Sequence, residues 1–472
     1  MSFATLEYAV LLSSVFVLYW ALGRRPGARL VLLFVASYVF YGWWRWSFLL
    51  LIAGSTLMDW GLGLVLARQR PQAERRRWLW VSVAGNLGLL GLYKYFDFLS
   101  GSLTALLRAL GWRGAPALRL GLALPPGVSF FTFQSMSYTI DIYRGELQPT
   151  ANPLLFAVFV AFFPQLVAGP IVRARYFLPQ LEVDPSLDEQ TATQGLLLLA
   201  IGLFKKLVIA DLLALNLVDR VFESPALYTS AELLLAVYGY ALQIYCDFSA
   251  YSDLAIGSAL LLGLQLPPNF NQPYRACDLR DFWRRWHISL STWLRDYLYV
   301  PLGGSRGGPL ATYRNLLLTM TLGGLWHGAA WTFVLWGALH GLGLALTRAW
   351  QRWRGERRPA TPLRCLLSTV GTFHFVCLGW VLFRASDLDQ VAALLRGLAR
   401  ATPGTANVTP LVWACLGAGL ATQLVPVRAL EPTARRLAAL PAYAQAALLA
   451  AVILGCRALG TTEVAPFIYF QF

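Results

Sequence analysis

Apolar runs close to the length of a membrane helix, separated by short polar connections, recur along almost the whole chain. Crossing a hydrocarbon core takes about 20 apolar residues in a helix. The pattern therefore predicts an all-α, polytopic integral membrane protein, with spans near residues 5–22, 30–44, 47–67, 78–95, 154–170, 195–217, 233–250, 315–347, 365–383, 410–426 and 441–458. The largest connections, 97–126, 172–194, 271–314 and 384–409, are neither long nor polar enough for a separate soluble domain. A single membrane domain over residues 1–472 is expected, and no clear internal repeat points to an inverted-repeat transporter.

Composition strengthens this reading. The chain is 57% hydrophobic and only 13% charged, too little polar surface for a globule in water. Its net charge of +15 would suggest nucleic acid in a soluble protein, yet no aromatic and basic groove pattern or binding motif accompanies it. The basic residues instead crowd into short loops, as in Arg68-Gln-Arg70-Pro-Gln-Ala-Glu-Arg75-Arg76-Arg77. That distribution obeys the positive-inside rule and argues against a nucleic-acid partner. Assigning the Arg-rich stretches 24–29, 68–77, 275–314, 348–364 and 428–435 to the cytoplasm puts both chain ends outside. No positive region precedes the first apolar run, so it is not read as a removable signal peptide.

Few residues are left to carry chemistry. The six cysteines lack C-x-x-C spacing and the four histidines lack H-E-x-x-H, so neither a disulfide framework nor a metal site is expected. His327 stands inside an apolar run, crowded by Gly323, Gly324, Gly328, Ala329 and Ala330. Small residues there permit close helix approach or leave room for a substrate. A neutral imidazole can accept a proton, as a general base must. Charged side chains at a bilayer centre cost about 2.5–3.5 kcal/mol, so intramembrane ionisable residues are functional candidates, against the plainer reading of a helix-packing hydrogen bond.

The stretch 278–299 has apolar residues at helical spacing but too much charge to span, and is expected to be an interfacial or re-entrant helix. On a 3.6-residue period His287 shares the stripe of Trp283, Leu290 and Leu294, opposite Arg285 and Ser289, and so faces protein; anchoring at the headgroup level is the alternative. Asp247 and Asp253 could orient a histidine or bind a polar substrate, and Asp253 could equally cap a helix beginning near Leu254. His340 and His374 also lie in apolar spans but lack the glycine-rich surroundings of His327. No histidine is followed five residues later by aspartate, which argues against soluble glycerolipid acyltransferase chemistry.

Four blocks carry a family resemblance: residues 124–145, containing Leu124-Pro-Pro-Gly-Val-Ser-Phe-Phe-Thr-Phe; Phe163-Pro-Gln-Leu-Val-Ala-Gly-Pro170; Tyr245 through His287 to Gly304; and Asn315 through His327 to His340. The run Phe282-Trp-Arg-Arg-Trp-His-Ile-Ser-Leu-Ser-Thr-Trp-Leu-Arg-Asp-Tyr-Leu-Tyr is highly specific. Together, across residues 124–340, the chain resembles the membrane-bound O-acyltransferases, in the bacterial branch of the alginate O-acetylase type. The resemblance implies a ring of about 11 or more helices around a central funnel, with re-entrant and interfacial helices.

It further implies that His327, in Leu-Trp-His-Gly, is the central catalytic histidine and His287, in Arg-Arg-Trp-His, a second active-site residue. Trp326, Arg284, Asp247 and Asn315 are the substrate-binding candidates. The stretch Pro466-Phe-Ile-Tyr-Phe-Gln-Phe472 reads as an interfacial aromatic belt, but also looks like the short aromatic motif of bacterial cell-surface acylation systems, which makes Tyr469 a candidate acyl carrier.

The function expected on this basis is O-acetyl transfer in the bacterial inner membrane, from a cytoplasmic acyl thioester, acetyl-CoA or an acyl carrier, to a cell-surface polysaccharide acceptor. No bound cofactor is expected. An extracytoplasmic SGNH-type acetyltransferase is the implied partner, and membrane lipid the surroundings. The rivals are a transporter or flippase of an acyl donor or precursor, and an O-acyltransferase acting on a lipid, a protein or a D-alanylated polymer.

Overall fold

The computed structural model describes residues 1–355, 361–460 and 465–470, and every regular element among them is helical. Part of the Arg-rich stretch 348–364 and the end of the 466–472 motif lie outside the described residues. Contacts divide the chain into two compact units: residues 1–187 with 258–266, and residues 188–257 with 267–472.

The first unit contains α1 (Leu6–Ala21), α2 (Pro26–Gly42), α3 (Phe48–Ala67), α4 (Gln72–Leu90), α5 (Phe96–Ala109), α6 (Val128–Arg144), α7 (Pro153–Ala161) and α8 (Ala174–Glu182). Helix α6 is nearly all buried despite its Gln, Ser, Thr and Asp residues, and that polarity hid it among the expected spans. Its Thr139 hydroxyl lies 2.8 Å from that of Ser82, which donates at 2.6 Å to Asp59, while Asn86 donates at 2.7 Å to the other carboxylate oxygen. Polar side chains of α3, α4 and α6 thus satisfy one another where water is absent. Arg75 reaches the carbonyls of Leu66, Ile142 and Tyr143, so the guanidinium of one helix meets the carbonyl ends of two others.

Two expectations fail in this unit. The connection 97–126 contains helix α5. The span expected at 154–170 is the nine-residue α7, started by Asn152, whose side chain accepts from the N–H groups of Leu154 and Leu155, and by Pro153 at its first position. Residues 162–173 continue as buried irregular chain, because the residues preceding Pro164 and Pro170 disfavour the helical region. Non-helical backbone at membrane depth is tolerated when protein surrounds it, and here Gln165 donates to the Phe159 carbonyl at 2.7 Å.

The second unit contains α9 (Glu189–Phe204), extended by a π-helical turn over Lys205–Ala210, then most of α10 (Ser230–Leu261), α11 (Leu279–Arg285), α12 (Ile288–Leu294), α13 (Gly308–His327), α14 (Trp331–Arg354), α15 (Pro362–Arg384), α16 (Leu388–Ala399), α17 (Pro410–Thr422), α18 (Leu430–Ala438) and α19 (Ala442–Leu459). Four described helices, α3, α10, α15 and α19, are long and apolar enough to cross a membrane. The segments Pro410–Thr422 and Val427–Ala438, bent by 84°, meet the criterion jointly.

Three further expectations need correction. The interfacial helix over 278–299 is two short helices broken at Trp286 and His287, where the His287 backbone is left-handed (φ 43°). Ser289, expected opposite His287, is buried beside it. Asp253 caps nothing; it lies inside α10 and pairs with Lys205 at 2.8 Å. The apolar run 315–347 is a hairpin, α13 and α14, turning over three residues.

Glycines let that hairpin close. A Cβ at Gly324 would overlap the Phe333 carbonyl, one at Gly328 the Phe333 ring, and one at Gly341 would stand 2.8 Å from the Leu317 Cα. Around His327 the small residues therefore serve helix approach. Gly324→Ala is expected to cost about 1–3 kcal/mol by overpacking, lowering the thermal midpoint of the detergent-solubilised protein. Gly417→Ala in α17, with no atom within 4 Å of its added Cβ, is the control and should leave the midpoint unchanged or raised.

Candidate active site

His327 is the last residue of α13, where the chain leaves the helix to turn into α14. Its imidazole is nearly buried and boxed by aromatic rings: Trp326 at 5.1 Å, Trp336 at 5.1 Å, Phe383 at 5.3 Å and Tyr469 at 5.4 Å between centroids. The first three present themselves at 70° to 85°, edge to face, the arrangement that ring quadrupoles favour. His287 lies 6.4 Å from His327 and 6.1 Å from Trp326, ring to ring.

His287 reaches this place through a strained backbone. A left-handed conformation is unfavourable for a residue with a Cβ, and such strain gathers at functional sites. Hydrogen bonds hold it: the Ile288 N–H donates to the Asn269 carbonyl and the Asn271 N–H to that of Arg285, both at 2.9 Å. The Asn269 side chain settles the histidine's tautomer. Its Oδ1 accepts from the Ser289 backbone N–H (3.2 Å) and hydroxyl (2.9 Å), and a backbone N–H requires an oxygen there, not the amide nitrogen. His287 Nδ1, 3.2 Å from the same oxygen, must then be the donor, which leaves the lone pair on Nε2. The Asn269 amide in turn donates to the Ser252 hydroxyl at 3.1 Å.

Tyr469 arrives from the far end of the sequence. Its ring stacks on Phe467 (5.4 Å, 21°) and packs against Phe248 (4.7 Å), which also touches the His287 ring (4.6 Å). Phe467 is itself buried against Tyr251 at 4.0 Å. The backbone beneath these rings is held by charge. Lys206 Nζ has three oxygens around it: Asp211 at 2.8 Å, Asp247 at 2.9 Å and the Ala465 carbonyl at 2.8 Å. The Ala465 N–H donates to Asp211 (3.3 Å) and the Ile468 N–H to Asp247 (2.8 Å). Lys206, Asp211 and Asp247 are each at most 3% exposed.

Of the residues singled out from sequence, His327, His287, Tyr469 and Trp326 are gathered into one cluster. Asp247 lies beside it, engaged with Lys206 and the 465–468 backbone instead of an imidazole. Arg284 is exposed on α11 and is not brought to the histidines. Asn315 sits twelve residues before His327 on the same helix, roughly 18 Å along its axis. Its amide donates to the Leu302 and Gly304 carbonyls, both at 3.1 Å, and so fixes a turn. His340 is buried behind Trp336, among Trp283, Phe282 and Phe375. His374 is exposed and bonds the Tyr238 hydroxyl and the Val370 carbonyl.

Asn269, Phe248, Lys206 and Asp211 escaped the sequence reading. For Lys206 the signal was present, since two lysines interrupt the apolar run 195–217 and charge inside such a run needs a partner. Asn269, in a Pro-Pro-Asn-Phe-Asn connection, gave none.

Comparison with known proteins places this cluster in context. The model of the MBOAT, membrane-bound O-acyltransferase family, matches residues 130–384, which include both histidines and end before Tyr469. The chain is 45% identical over 397 residues to the "Probable alginate O-acetylase AlgI" of Pseudomonas aeruginosa, covering 83% of this chain and 73% of that protein. It is 37% identical over 404 residues to the "Peptidoglycan O-acetyltransferase" of Helicobacter pylori, covering 80% and 75%. To the "Teichoic acid D-alanyltransferase" of Bacillus subtilis it is 28% identical over 270 residues, 54% of this chain and 68% of that one. A multi-pass membrane protein with two histidines meeting inside the matched region, this chain belongs to the membrane-bound O-acyltransferase family and is an O-acyltransferase.

Proposed function

We propose that this protein passes an acetyl group from a cytoplasmic thioester to a hydroxyl acceptor bound for a cell-surface polysaccharide, with the Tyr469 phenol as the first acceptor and His327 as its base. The observation that carries the proposal is the Tyr469 ring 5.4 Å from that of His327 inside an aromatic enclosure. The relatives' names support the class of final acceptor, since alginate, peptidoglycan and teichoic acid are all polymers.

In the proposed step the His327 imidazole takes the phenolic proton as the oxygen attacks the thioester carbonyl. The C–O bond forms, the C–S bond breaks, and the thiolate leaves with the proton that the imidazolium returns. The products are an aryl ester on Tyr469 and a free thiol. Ordinary thiols and phenols have pKa values of about 8.5 and about 10, so acyl transfer between them is close to balanced. A sugar hydroxyl is a much weaker acid, so transfer from the aryl ester to it runs downhill. Sugar recognition falls to an extracytoplasmic transferase of the SGNH type, to which the acylated Tyr469 is presented. His287, its Nδ1–H given to Asn269, is held 6.4 Å from His327, ring to ring, and orients the donor.

The test uses protein in lipid nanodiscs supplied with acetyl-CoA or with an acetylated carrier protein, reading thiol release and labelled acetyl on the chain. His327→Ala should lower both by at least about 100-fold at unchanged abundance. Tyr469→Phe keeps the ring and removes the nucleophile, so label should vanish; normal labelling would sink the carrier assignment. A transporter or flippase would move the donor with no thiol released. Asn269→Leu removes the acceptor that fixes His287 and should slow thiol release about tenfold or more, whereas Asn269→Asp, which keeps an oxygen in place, should lose less.

A further inference from the structure

Lys206, Asp211 and Asp247 form a buried cluster whose bonding is incomplete without residues 465–468. An ammonium has three hydrogens to donate, and carboxylates only accept. Lys206 is ion-paired with Asp211 at 2.8 Å and Asp247 at 2.9 Å, and it donates a hydrogen bond to the Ala465 carbonyl at 2.8 Å. One lysine between two aspartates leaves acceptors in excess, and the backbone N–H groups of Ala465 and Ile468 answer them, one per carboxylate. All three contacts are to main chain. The lysine comes from the π-helical turn after α9, a local widening that often marks functional sites, and Asp247 from the middle of α10, next to Phe248, which touches both His287 and Tyr469.

We infer that Lys206, Asp211 and Asp247 are positioning residues: a charged socket that grips the backbone of 465–468 and so sets the Tyr469 hydroxyl-bearing ring against His327. The inference rests on the proposed role of Tyr469 as acyl acceptor. The grip is on main-chain groups, so the socket requires the two N–H groups and the carbonyl, not the side chains that carry them. The socket touches no reacting atom; it sets the fraction of molecules in which the phenol is docked, and the rate of acyl capture scales with that fraction. Thioester binding is left alone.

The experiment compares Lys206→Met, Ile468→Pro and Ile468→Val in nanodiscs with acetyl-CoA, alone and combined with Tyr469→Phe. Ile468→Pro deletes one N–H while leaving Lys206, Asp211 and Asp247 in place, at the first position of a short helical turn; because Ile468 is buried, abundance and thermal midpoint are measured alongside to separate loss of the N–H from loss of packing. Lys206→Met and Ile468→Pro are expected to lower kcat for acetyl capture about tenfold or more with KM for the thioester unchanged, and Ile468→Val to behave as the parent protein. Neither should slow thiol release further in the Tyr469→Phe background. A 3-fluorotyrosine at 469 should show a docked 19F resonance that shifts to its solvent value in both variants.

If Tyr469→Phe captures acetyl normally, the acceptor reading fails and this inference with it. If Tyr469→Phe is inactive while Ile468→Pro keeps full kcat and the docked resonance, the socket alone is refuted. Faster thiol release in Ile468→Pro would also overturn it, by making the segment a plug instead of a presented acceptor.

Discussion

An ammonium taken out of water must recover, from protein oxygens, the hydration it loses, and the penalty for failing is several kcal/mol per ion. Lys206, 1% exposed, is where the second unit meets this demand most sharply. Removing one partner of such a buried pair typically destabilises by about 3–5 kcal/mol, more than most single contacts contribute. Satisfying it draws together three stretches with no local reason to meet: the turn after α9, the middle of α10, and residues 465–468. The aromatic contacts of Phe467 and Tyr469 add area and orientation. They do not replace the charge match, because apolar packing alone would leave two carboxylates and a lysine short of partners.

The same demand is met elsewhere with neutral groups. Asp59 in the first unit is answered by a serine hydroxyl and an asparagine amide, with no cation. Asn269 serves the second unit similarly, one oxygen accepting three donors and one amide giving to Ser252. Neutral solutions fix a geometry locally, between side chains on neighbouring elements. The ionic one acts at longer sequence range, since 254 residues separate Asp211 from Ala465.

The sequence made the membrane class legible, because apolar run length is a one-dimensional property and reports directly on lipid. His327, His287 and Tyr469 were legible because their motifs are local. What stayed hidden depended on pairing in space. Helix α6 carries too many hydroxyls and amides to be recognised as buried until α3 and α4 supply its partners. The break at His287 could not be read from a periodicity that runs smoothly through it; Asn269, which gave no signal, and Ser289, expected on the opposite face, hold it. Asp253 has the residue type of a helix cap, and only Lys205 opposite it explains an aspartate inside α10. Arg284 and Asn315 belong to the motif-bearing blocks yet lie away from the histidines, since a block has a fold to keep as well as a site to build.

The glycine contacts of the α13–α14 hairpin bear on how the enclosure can open. With backbone against backbone at Gly324, Gly337 and Gly341, the two helices have no slack for sliding past each other. Trp326, His327, Trp336 and His340 therefore travel as one rigid wall. Any opening of the enclosure has to be supplied by the facing side, where Phe248, Phe467 and Tyr469 rest on ring contacts and residues 465–468 on three main-chain hydrogen bonds. The imidazole is carried on the braced wall, and the tyrosine on the one held by fewer bonds.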